Sequence, residues 1–162
     1  MGTLQIIGKE PMKYPPSDPN FAERVGESFA TQGVMRLIGA RLGTITPGEV
    51  SIELPFRHDL CQQHGYFHAG ITATIADSAG GYAAYTLFPP HSTVLSVEFK
   101  INLIAPAQGE KLTATARVVK HGRTLTICEF DVFVMRDGEE HRCAIGLQTV
   151  MCLPDKGKVV VQ

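Results

Sequence analysis

The chain has 162 residues, 44% of them hydrophobic, the length and apolar content of one ordinary globular core. Its formal net charge of −1 and the lack of any long Lys/Arg run exclude the basic footprint that nucleic acid or an anionic membrane surface selects. Cys61, Cys128, Cys143 and Cys152 form no C-x-x-C pair and no apolar segment follows a basic start, so reduced thiols and a cytoplasmic location are expected.

In chain order, residues 1–16 mix Lys, Pro and Gly without periodicity and read as a flexible N-terminal arm, with one domain expected over 17–162. Ser17-Asp18-Pro19 offers an N-cap followed by proline at the first helical position, and Phe21, Val25 and Phe29 continue a helical spacing toward Gly33 and Leu37. Leu42, Thr44 and Thr46, a turn at Pro47-Gly48, and Val50, Ile52 and Leu54 then alternate as a hairpin does, ended by Pro55.

A histidine-bearing turn at His68-Ala69-Gly70 opens a run of small residues to Phe88 that predicts one long helix, stopped by Pro89-Pro90. Its length invites a transmembrane reading, but Asp77 near its centre would cost about 2.5 to 3.5 kcal/mol in a bilayer. The run is also only mildly apolar, so no membrane partner is expected. Ala69, Gly70, Ala73, Ala76, Ala79, Gly80, Ala83 and Ala84 let strands approach closely on every side. Gly80-Gly81 costs roughly 1 kcal/mol per glycine relative to alanine, and close packing must offset it.

Downstream, everything reads as strand. Val94, Ser96, Glu98, Lys100 and Asn102 alternate with Leu95, Val97, Phe99, Ile101 and Leu103, which predicts two chemically different faces. Residues 112–119 and 124–135 are joined at His121-Gly122-Arg123, and Asp137-Gly138 is a hairpin signal before 143–153. One long helix among antiparallel strands is an α+β plan in which the sheet must cover the helix.

Asp77 is the one charged side chain between Gly70 and Phe88. An ionised carboxylate taken out of water costs several kcal/mol unless it is paired or hydrogen-bonded, so Asp77 needs either partners or a task. The first amides of the helix, at Ala69 and Gly70, lie at its positive end and suit a developing oxyanion. His58, Cys61, His64 and His68 have zinc-ligand types, but one thiolate does not make a typical structural site, and no metal is expected.

The pairing of His68-Ala69-Gly70 with Ile75-Ala76-Asp77, the strand Ser96-Val97-Glu98-Phe99 leading to Pro106, and the turn Gly122-Arg123-Thr124 together resemble the hotdog-fold acyl-CoA thioesterases of the phenylacetate-degradation (PaaI-like) type. The likeness runs from about Gly39 to Met151. It implies a curved antiparallel sheet wrapped around one long central helix, and hydrolysis of an acyl-CoA to the free acid and CoA with no cofactor besides the substrate. It assigns Asp77 the part of general base or nucleophile, and His68 the positioning of the carbonyl or turn. Ser96 would orient the hydrolytic water, and Gln62 would bring an amide near the nucleophile. Lys120, Gly122, Arg123 and Thr124 would contact the coenzyme A arm and its phosphates, for which an arginine fork is well shaped.

The resemblance also implies a homodimer at minimum, with dimers commonly paired into tetramers, and sites shared between subunits. Two positions depart from the family pattern: Ala69 stands where a second glycine is usual, and Gln62, next to Gln63, where many members carry asparagine. A hotdog hydratase or dehydratase, and a noncatalytic acyl-CoA or lipid-binding protein, are the alternatives. Tyr66, Phe67, Tyr82, Tyr85 and Phe88 suit either an acyl pocket or the core.

Overall fold

The computed structural model describes residues 14–154, so most of the arm expected over 1–16 lies outside the described residues. Two short helices, α1 (Phe21–Thr31) and α2 (Gly33–Ile38), precede a hairpin of β1 (Arg41–Thr46) and β2 (Glu49–Pro55). The long helix α3 (Ala69–Tyr85) follows, then β3 (Ser92–Leu103), β4 (Lys111–Lys120), β5 (Leu125–Arg136) and β6 (Glu139–Pro154). The six strands form one antiparallel sheet in the order β1-β2-β4-β5-β6-β3. The sheet curves around α3, the α+β hotdog architecture that the sequence predicts.

Composition explains why α3 can be wrapped. Ile75, Ala76, Ala79, Ala83 and Ala84 are fully buried, together with Val50, Ile52, Leu54, Leu112, Ala114, Ala116 and Val132 from the strands. Each large apolar side chain so buried contributes about 1.5–3 kcal/mol. Phe67, Tyr82, Tyr85 and Phe88 are core residues, and Tyr66 is only half-buried. No helix among the described residues is long and apolar enough to cross a membrane.

The first helix starts later than the sequence suggests. Asp18 Oδ1 accepts from the Asn20 amide at 2.9 Å and tightens a turn, so Asn20 becomes the N-cap and Pro19 lies outside the helix. The helical spacing also breaks at Gln32, whose extended ψ of 106° separates α1 from α2.

Arg24 on α1 carries a role that its position in the sequence does not disclose. Its guanidinium donates to the carbonyls of Tyr85 (3.0 Å), Phe88 (2.8 Å) and Pro89 (2.6 Å), at and just beyond the C-terminal end of α3, while resting over the Tyr85 ring and ion-pairing with Asp18 at 3.3 Å. A cation at the C-terminus of a helix also meets the negative end of its dipole. Arg24→Ala is expected to destabilise the fold by about 2–3 kcal/mol, since it strips several carbonyls of a charged donor; urea unfolding measures it.

A β-bulge changes the faces of β3. Ser96 pairs with Val150, but Glu98 pairs with Thr149, so Val97 is an inserted residue. Paired residues share a face, and Val150 is buried while Thr149 bonds Glu98 on the exposed side. The simple alternation expected from 94 to 103 therefore fails: Val94 and Ser96 face α3, and beyond the bulge Phe99, Ile101 and Leu103 take that face. Bulges re-aim side chains in this way beside functional sites. A second bulge lies in β1 between Leu42 and Ile45.

Candidate active site

α3 begins where His68 adopts an extended conformation (φ −64°, ψ 139°) and caps the helix with its own ring, Nδ1 accepting from the Gly70 amide at 2.9 Å. The His68 carbonyl accepts from the Ile71 and Thr72 amides. Of the two amides expected to face an oxyanion, Gly70 is thus already engaged, and Ala69 N–H is the one with no acceptor among the described residues. His68 acts on the turn itself, and its ring is exposed.

Ala69 lines a cavity of about 450 Å³ with Gln62, Tyr66, Thr72, Leu103 and Pro106 among its walls. Gln62 holds its own loop: its Oε1 accepts from the His64 amide and its backbone amide donates to Tyr66 O at 2.8 Å. That leaves the Nε2 donor as its unbonded polar group. Gln63 is exposed beside His64 and does not line this cavity.

Asp77 lies two turns further along the helix, half-buried, where the small-residue face of α3 meets β3. Ser96 Oγ donates to Asp77 Oδ1 at 2.7 Å, and Gln148 Nε2 donates to the same oxygen at 2.6 Å. The cost of taking this carboxylate out of water is offset by these two donors. Because both bonds fall on Oδ1, Oδ2 has no donor among the described residues. Asp77 opens on cavities of about 90 Å³ and 400 Å³, and Gln32, from the break between α1 and α2, lines both.

Ser96 and Asp77 are therefore brought together, as are Gln62 and Ala69, but the two pairs are not brought to each other. Ala69 and Asp77 are eight residues apart on one straight helix, about 12 Å at 1.5 Å per residue. A single thioester carbon cannot be within reach of both in one chain.

The Gly122 turn is further removed. His121 stacks on Phe88 and Tyr14 donates to Val119 O at 3.2 Å, which places Lys120, Gly122, Arg123 and Thr124 beyond the C-terminal end of α3, opposite Ala69. Lys120 and Arg123 are exposed and form no ion pair with a described residue. Gln148 and Gln32 are the site residues that sequence reasoning missed. Gln148 lies in a strand of mixed polarity, and its one local sign is that a glutamine there faces the core.

The family model described as "Thioesterase superfamily" matches residues 64–140, a span that holds His68, Asp77 and Ser96. A solved thioesterase family protein from Silicibacter pomeroyi is 47% identical, with a TM-score of 0.82 over 83% of this chain and 98% of that one. Acyl-coenzyme A thioesterase 13 of Homo sapiens is 32% identical over 56% of this chain and 69% of its own length. A 1,4-dihydroxy-2-naphthoyl-CoA hydrolase of Listeria monocytogenes is 25% identical over 62% of this chain and 81% of its own length.

Proposed function

The chain belongs to the thioesterase superfamily and is a thioester hydrolase, and from that premise we propose that it hydrolyses an acyl-CoA at a site completed by a second copy of itself, with Asp77 as the general base. The observation that carries this reading is the separation of Ala69 N–H from Asp77 by about 12 Å along one helix. Each is prepared for a different part of one reaction, and a second subunit is what can supply the missing half.

The open edge of the sheet supports a second copy as the partner. Among the described residues β3 pairs only with β6, leaving a 12-residue edge strand without a second neighbour. Leu95, Val97 and Phe99 on it are 54%, 50% and 42% exposed, more apolar surface than an edge strand tolerates in water. Pairing two such edges satisfies the free backbone groups of both strands and brings Asp77 of each chain next to the join.

The chemistry then runs as follows. Asp77 Oδ2 accepts a proton from water as the water oxygen attacks the thioester carbon. The carbonyl oxygen gains charge and is held by the Ala69 N–H of the partner subunit, with the Gln62 amide beside it. The C–S bond breaks, the thiolate of CoA leaves and takes up the proton, and the free acid remains. Ser96, bonded to Oδ1, offers its oxygen to the same water. Lys120 and Arg123 meet the phosphates of the CoA arm through the exposed turn at Gly122. No metal or redox group enters the scheme, and the assembly proposed is a tetramer of two such dimers.

A panel of acyl-CoAs incubated with the purified protein and a thiol reagent tests the reading. CoA release with an acid product is expected. Binding without release would make it an acyl-CoA carrier, and addition of water across a carbon–carbon double bond with the thioester intact would make it a hydratase.

A further inference from the structure

We propose that Gln148 is a positioning residue for the reaction: its buried amide holds Asp77 Oδ1 so that Oδ2 is the oxygen presented to the substrate. The inference rests on the reading of Asp77 as the general base. Gln148 is fully buried on β6, and its Nε2 is surrounded by Asp77 Oδ1 at 2.6 Å, Ser96 Oγ at 2.9 Å and the Asp77 carbonyl at 3.1 Å. Ser96 in turn donates to Asp77 Oδ1, so the three side chains close a triangle in which the two protons of Gln148 Nε2 are shared among three acceptors. The amide cannot be turned around, because its oxygen would then face the carboxylate and a backbone carbonyl.

The other end of the amide shows what this orientation costs. Gln148 Oε1 is buried without a hydrogen-bond partner. It occupies the space that Gly80 leaves on α3, where a Cβ would lie 1.8 Å from Oε1. A glycine in mid-helix and an unpaired buried carbonyl are both unfavourable, and together they keep a donor on Asp77. Unsatisfied groups of this kind gather where function demands a fixed geometry. Gln148 lines none of the cavities described above and therefore acts through Asp77 and Ser96.

Gln148→Met keeps the length and removes the donor. It is expected to lower kcat about 10- to 100-fold with KM unchanged. Gly80→Ala, whose methyl takes the place of Oε1, is expected to reproduce this loss of kcat at unchanged KM, and the double variant to add little to either single one. Circular dichroism and thermal midpoints report the folded fraction of each. Should Gln148→Met not fold, Gly80→Ala carries the test; loss of the fold in both would assign the pair to stability alone and overturn the proposal. So would an unchanged kcat in folded variants when Asp77→Asn is inactive. Retained turnover in Asp77→Asn would instead overturn the underlying reading of Asp77.

Discussion

Asp77→Asn lowers kcat by roughly 10²- to 10⁴-fold, the usual range for loss of a positioned general base, while KM and subunit assembly stay as they are. The substitution is informative because of how the carboxylate is held. The asparagine oxygen can take the place of Oδ1, still accepting from Ser96 and Gln148, so the contacts that anchor the side chain survive. What changes is the second atom: an NH₂ group stands where Oδ2 stood, with no lone pair to take a proton from water. Stability is therefore expected to remain within about 1 kcal/mol of the parent, since no buried donor loses its acceptor. Steady-state kinetics alongside thermal unfolding check both halves, and an active Asp77→Asn enzyme would remove this residue from the reaction.

Ala69→Pro tests the other half of the site with comparable force. Ala69 is the first residue of α3, the position at which proline is best tolerated in a helix. His68 before it already has φ −64° and ψ 139°, the region that a residue preceding proline prefers. The substitution thus removes one N–H and leaves the backbone where it was. If that N–H holds the oxyanion, kcat falls about 10²- to 10³-fold, the cost of losing one such donor. Ala69→Gly, which keeps the N–H, retains activity. Equal rates in the proline and glycine variants would show that the Ala69 amide does not contact the reacting oxygen.

Much of this fold is legible in the sequence, and for identifiable reasons. α3 announces itself through small residues between a capping turn and Pro89-Pro90, and the strands through alternation and the turn residues at Pro47-Gly48 and Asp137-Gly138. Asp77 stands out as an acid in uncharged company. What is hidden depends on partners distant in the chain. The bulge at Val97 adds one residue to one strand, and no local pattern marks it, yet it decides that Ser96 and Phe99 both face the helix. Gln148 is 71 residues from Asp77, and its importance emerges only when β6 is laid beside α3. Arg24 looks like an ordinary exposed-face arginine until its three carbonyl acceptors are seen. The exposed edge of β3 is a further case: alternation predicts two different faces but not that Leu95, Val97 and Phe99 on both sides of the bulge stay exposed.

The separation of Ala69 from Asp77 along one rigid helix makes a quantitative demand on the assembled protein. Asp77→Asn and Ala69→Pro subunits, each inactive alone, are co-expressed in equal amounts and allowed to assort. If each site takes Asp77 from one chain and the Ala69 amide from the other, half of the dimers are mixed and one of their two sites is intact, so about a quarter of the parental kcat returns. If both groups serve within one chain, every subunit carries a defect and the mixture is as inactive as its components; that result would contradict the shared site.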